Sequence, residues 1–190
     1  MIKKVIMLHG ICDSEEYNSD EFPSSSNSHW LPWVQKQLLI NQIDCQTPDV
    51  MNSYQANYAD WYRTVKPHEI DENTILVGHS AGCGFFLKYL SENPEIKCDK
   101  LIMVAPFNDP FEKYGEFLQC DLDTNLSTRI NAMHVFYSLD EPVDGIKETV
   151  NYIENNFPDT KLKTFEDKGH FCFGNDGNGS FPELLDIILR

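Results

Sequence analysis

Residues 74–86, TILVGHSAGCGFF, are the stretch from which the rest of the chain can be read. Thr74, Ile75, Leu76 and Val77 make an apolar, β-branched run, the pattern of a buried strand. The run leads directly into Gly78, His79, Ser80, Ala81 and Gly82, after which the pattern turns helical. This is the G-x-S-x-G pattern of a nucleophile elbow, in which a serine stands on a sharp turn between strand and helix. Glycines two before and two after that serine have a mechanical reason, because without Cβ atoms the two arms of a strained turn can pass closely. The turn predicts the Ser80 hydroxyl at the carboxyl end of a sheet, beside a helix N-terminus. There the Ala81 N–H is expected to serve as one donor to an oxyanion.

Upstream of the elbow, Lys4–Leu8 is an apolar run that reads as the first, central strand and ends in His9 and Gly10. In an α/β hydrolase the loop leaving this strand supplies the second oxyanion donor, which points to the N–H of Ile11. Residues 12–28 are polar and are expected to form a long flexible loop beside the site. Their carboxylates lack the spacing and the turn glycine of a calcium loop. Residues 29–40 read as a helix carrying Trp30, Trp33, Val34, Leu38 and Leu39, with Pro32 in its first turn and His29 and Trp30 bordering a pocket. A short strand over 43–47 and a helix over 54–65 complete this half.

Downstream, the elbow helix runs over 82–90 and stops at Asn93 and Pro94, and a strand follows over 100–105. Residues 106–131 carry scattered aromatics, Phe107, Phe111, Tyr114 and Phe117, without a clear period. They read either as an insertion that shapes the pocket or as a loose surface segment. Strands over 133–138 and Lys161–Phe165 alternate with helices over 143–157 and 181–189. This alternation predicts one α/β domain spanning 1–190: a three-layer sandwich of about six parallel strands ordered 2-1-3-4-5-6.

The 190 residues, 41% hydrophobic, suffice for one sizeable core. A formal net charge of -15 argues against nucleic acid or an anionic membrane as partner, since such surfaces demand clustered Lys and Arg. The apolar run after Lys3 and Lys4 is too short for a signal peptide, and no stretch reaches transmembrane length, so a cytoplasmic protein is expected. The six cysteines contain no C-x-x-C pair and read as free thiols, several of them buried. No metal site and no organic cofactor is expected.

For Ser80 to act, a base and an acid must follow it in chain order. His170, just after the strand ending at Phe165, is the candidate base. The acid is expected from the adjacent pair Asp140 and Glu141, after the strand ending at Ser138. Neighbouring side chains on an extended segment point to opposite sides, so one of the pair is expected to face His170 and the other to face solvent. The usual acid of such triads favours Asp140, and glutamate is an accepted acid in this arrangement, so both residues stay open.

With HG after the first strand, HWLPWVQKQL, NTILVGHSAG, SLDEPV and KGHF, the chain resembles the small serine hydrolases that include retinoblastoma-binding protein 9 and related bacterial proteins. The resemblance spans nearly the whole chain. It implies a compact single-domain α/β hydrolase without a large lid, with Ser80 and His170 in its triad, and carboxylic ester hydrolysis as the usual assay activity. It also implies an acid immediately before proline, where that family normally has aspartate and this chain has Glu141. No L-x-C-x-E sequence for retinoblastoma protein occurs, the nearest approach being residues 118–122. Two functions are therefore carried forward. One is a serine hydrolase acting on a small-molecule acyl ester, amide or thioester, and the other is a catalytically silent hydrolase fold serving as a protein-binding module.

Overall fold

The computed structural model describes residues 3–174 and 178–190. Six strands, β1 (Lys4–Leu8), β2 (Asp44–Gln46), β3 (Thr74–His79), β4 (Cys98–Val104), β5 (Ile130–Ser138) and β6 (Lys161–Phe165), form one sheet in the order 2-1-3-4-5-6. All pairings are parallel. A parallel sheet needs a crossover between neighbours: α1 (Ser14–Asn18) and α2 (Leu31–Ile40) lie between β1 and β2, α3 (Tyr58–Val65) between β2 and β3, α4 (Ala81–Glu92) between β3 and β4 and α5 (Ile146–Asn156) between β5 and β6, whereas β4 and β5 are joined by a segment with one 3₁₀ turn, and α6 (Pro182–Leu189) follows β6. Helices α2 and α6 touch each other, as do α3 and α4, so the sheet is covered on both faces. Among the described residues no helix is long and apolar enough to cross a membrane.

Strand β3 is buried at every position, whereas β6 at the far edge is largely exposed. That contrast follows from sheet order, since β3 lies between β1 and β4 and β6 has one neighbour only. The core gathers around β3, with Trp30, Trp61, Phe85, Phe86 and Phe136 fully enclosed.

Several elements differ from the sequence expectation for local reasons. Helix α3 starts at Tyr58 rather than 54, because Asn52 and Ala56 adopt left-handed backbone on either side of a single 3₁₀ turn over Ser53–Gln55. In α2 the buried face is Leu31, Val34 and Leu38, and Leu39 is exposed. The polar loop after Cys12 contains α1, capped by the Asp13 side chain on the Glu16 N–H at 2.7 Å, and a 3₁₀ turn over Ser25–Asn27.

Residues 106–131 form no long element, yet Phe107, Phe117, Leu118 and Leu126 are buried. Lys88 of α4 holds this segment by donating from Nζ to the carbonyls of Glu116 and Phe117 at 2.9 and 3.3 Å. The segment lines a smaller cavity between α4 and α5, bounded by Gly84, Leu87, Glu148 and Tyr152. None of it lines the cleft at Ser80, although the Phe107 N–H donates to the Ser80 carbonyl, and residues 110–113 are exposed. All six cysteines are free thiols, with Cys45, Cys83 and Cys98 buried.

Candidate active site

Ser80 stands between the end of β3 and the first residue of α4 with φ 53° and ψ −121°, a backbone region that side-chain-bearing residues rarely occupy. Three main-chain hydrogen bonds hold it there. Its N–H donates to Val104 at 2.9 Å, and its carbonyl accepts from Cys83 at 3.0 Å and Phe107 at 3.1 Å. The two motif glycines answer to different neighbours. A Cβ on Gly78 would lie 2.6 Å from the Cys83 nitrogen, within the elbow itself. A Cβ on Gly82 would lie 2.6 Å from the carbonyl oxygens of Leu8 and His9, so that glycine is what lets α4 lie against the end of β1.

Ala81 begins α4, and its N–H therefore has no carbonyl of its own helix to bind. Ile11 lines the same cleft as Ser80. The peptide that carries the Ile11 N–H is oriented by His9, whose Nδ1–H donates to the Gly10 carbonyl at 2.7 Å while its Nε2 accepts from the Val50 N–H at 3.0 Å. An acceptor on one side and a donor on the other define a neutral ring. Burial also pushes the pKa of His9 down.

His170 follows β6, and its Nδ1 lies 2.9 Å from Oε1 of Glu141, which follows β5. The Glu141 side chain is only 2% exposed, and its Oε1 also accepts from the Val143 N–H at 3.0 Å. Asp140 points the other way, into solvent, but it is not idle. Its carboxylate accepts from the Ser138 hydroxyl and, at 2.8 Å, from the N–H of Gly169, the residue before His170. These two bonds hold the Asp140 carboxyl below the usual range. Ser138 Oγ in turn accepts from the Lys168 N–H at 2.8 Å.

Ser80 and His170 line one cleft of about 560 Å³, together with Gly10, Ile11 and His79. Its outer wall comes from α1 and the segments around 22–28 and 49–51, where Tyr17, Phe22 and Met51 expose apolar surface. The lining carries the carboxylates of Glu16 and Asp49 and no Lys or Arg. Partial burial, and then Asp13, raise the Glu16 pKa. His29 borders the cleft, whereas Trp30 lies wholly in the core. Among the described residues no group of three or more His, Cys, Asp or Glu side chains is set to hold a metal ion.

The sequence model of the family described as "Serine hydrolase" matches residues 21–189. The chain belongs to the serine hydrolase family. Within it, the chain is similar to YdeN of Bacillus subtilis (strain 168), named as a hydrolase, with 28% identity over 99% of this chain and 95% of that protein. It is also similar to the serine hydrolase RBBP9 of Rattus norvegicus, with 26% identity over 84% of each. The crystal structure of the ydeN gene product superposes with a TM-score of 0.78 at 25% identity, covering 98% of this chain and 97% of that one.

The sequence places residues 12–28 of this serine hydrolase beside the site, but not the apolar rim formed by Tyr17, Phe22 and Met51, nor the backbone contacts of His9, His79, Ser138 and Asp140. Tyr17 lies on the five-residue α1 and the other two on irregular segments, too short or too aperiodic to read. What Asp140 and His79 hold lies 29 and 91 residues away.

Proposed function

We propose that this serine hydrolase cleaves small carboxylic esters, with amides and thioesters as related substrates, through an acyl-enzyme formed on Ser80. The observation that carries the proposal is the contact between His170 Nδ1 and the enclosed Glu141 carboxylate, at the edge of the cleft that contains the strained Ser80. Bonding at Nδ1 leaves Nε2 of the imidazole to act as base. In the first step Ser80 Oγ attacks the acyl carbon and its proton passes to His170 Nε2. The carbonyl oxygen becomes an oxyanion held by the N–H groups of Ile11 and Ala81. Collapse of that intermediate breaks the bond to the leaving group, which takes the proton from His170. Water then repeats the sequence with His170 again as base, releasing the acid and restoring the serine. Glu141 stays ionised throughout, fixing the imidazole and offsetting its positive charge.

The lining supports a substrate class as well. A cleft with two carboxylates and no cation would repel an anionic substrate, and its apolar rim of Tyr17, Phe22 and Met51 suits an uncharged acyl or alcohol portion. A fluorophosphonate probe is expected to label Ser80, and a panel of neutral p-nitrophenyl esters to be hydrolysed. Labelling of Ser80→Ala at the wild-type rate would overturn the proposal.

A further inference from the structure

We propose that His79, the residue before Ser80, is a positioning residue whose ring donates from Nε2 to the main-chain carbonyl of His170 and thereby sets where that imidazole stands relative to the nucleophile. The inference rests on the roles given above to Ser80 and His170. The bond is 2.8 Å long, and a carbonyl can only accept, so the ring carries its proton on Nε2. His79 is 4% exposed and lies among aromatic rings, with centroids 5.1 Å from His170 and 5.9 Å from both His29 and Trp30. Burial pushes its pKa well down, and His170, His29 and His9 would each resist a second positive charge. The ring therefore remains a neutral donor, and puts no cation beside His170 when that imidazole takes up a proton.

His170 lies on a loop beyond the exposed edge strand β6, between Gly169 at φ 50° and Phe171 at φ 56°. From the β5 side this loop is held at the Lys168 N–H by Ser138, at the Gly169 N–H by Asp140 and at the imidazole by Glu141. All three contacts come from one side. Beyond these, Phe171 is anchored in the core and the His79 bond holds the His170 main chain itself, starting from β3, the most enclosed strand of the sheet. It also starts one residue from Ser80, so no flexible chain intervenes between the nucleophile and the anchor of its base. A second donor on the same carbonyl, the Cys172 thiol at 3.6 Å, is too weak to replace it.

The test compares His79→Gln, His79→Asn and His79→Leu with wild type and Ser80→Ala on one p-nitrophenyl ester, with melting curves in parallel. A glutamine amide nitrogen reaches about where Nε2 stands and an asparagine falls short, so the glutamine variant is expected to keep kcat within about threefold. The asparagine and leucine variants are expected to lose about 30- to 100-fold in kcat, with KM changed by less than about threefold, the size of loss that a misplacement near 1 Å produces. If the leucine variant fails to fold, the glutamine and asparagine pair still decides the matter. Equal kcat in those two variants, at wild-type level or below it, would overturn the inference. Wild-type turnover by Ser80→Ala would instead overturn the nucleophile assignment on which it rests. An inactive Ser80→Ala beside a fully active His79→Asn would overturn the positioning role alone.

Discussion

Ser80 and His170 border one cleft, but the segments that carry them are held in different ways. At the elbow the constraint is contact: β3 is buried throughout, and Gly78 and Gly82 stand where a Cβ would come within 2.6 Å of neighbouring main chain. At the loop after β6, beside an exposed edge, Phe171 packs into the core, and the three residues before it are held by a small set of hydrogen bonds with Ser138, Asp140, Glu141 and His79. The elbow therefore fails by crowding and the loop by loss of a tie. A crowded site should lose its fold before its chemistry, whereas a tied site should lose its chemistry while the fold stands.

The sharpest test lies in the loop. Glu141→Gln is expected to reduce kcat by about 10⁴-fold, because an amide can neither fix the imidazole tautomer nor offset its charge. The melting temperature should move little by comparison. A variant within tenfold of wild type would remove Glu141 from the triad. At the elbow the expectation reverses. Gly82→Ala drives a methyl group against the Leu8 and His9 carbonyls and should lower stability by about 3 kcal/mol, measured by urea unfolding. A stable, active alanine variant would show that α4 can move away from β1 at little cost.

Asp140 probes the weaker ties. Asp140→Ala removes the acceptor for Gly169 and should cost about tenfold in kcat, whereas Asp140→Asn keeps an oxygen there and should cost less. Equal, near-wild-type rates in both would mean that Ser138 and His79 hold the backbone of this loop without help from Asp140.

The smallest effect separates the edge of the sheet from the site. His134 of β5 sits opposite Lys161 of β6, and burial, then Lys161 and Lys100, push its pKa down to about 4. Between that value and the ordinary 6.5 the unfolded chain binds more protons than the folded one. Stability from this group is therefore complete above about pH 6.5 and is lost as pH falls toward 4. His134→Gln should flatten the fall in stability over that window and leave kcat at pH 7.5 unchanged. An unaltered slope would mean that other groups set the acid limit.

How much was legible follows the same division. Lys4–Leu8 matches β1 residue for residue and the strand order matches as well, because apolar runs and their alternation with helices are local properties of the sequence. Helix α3 was read four residues too long at its start, since the left-handed backbone at Ala56 leaves no mark in a periodic pattern. The segment over 106–131 could not be read, because Phe107 and Phe117 are buried by partners elsewhere in the chain while Phe111 is exposed, so its aromatics follow no repeating face of their own.

By itself the sequence determined the elbow, the identity of Ser80 and His170 as candidates, and the neighbourhood of the acid, because steric exclusion and chain order are written in residue types. It left Asp140 and Glu141 undivided. Only the tertiary structure set Glu141 against the imidazole and Asp140 against the loop's main chain, and brought His79 to the carbonyl of His170. The physical reason is that a hydrogen bond of about 3 Å between residues 29 or 91 positions apart depends on how the ends of β3, β5 and β6 align, which no short window of sequence encodes.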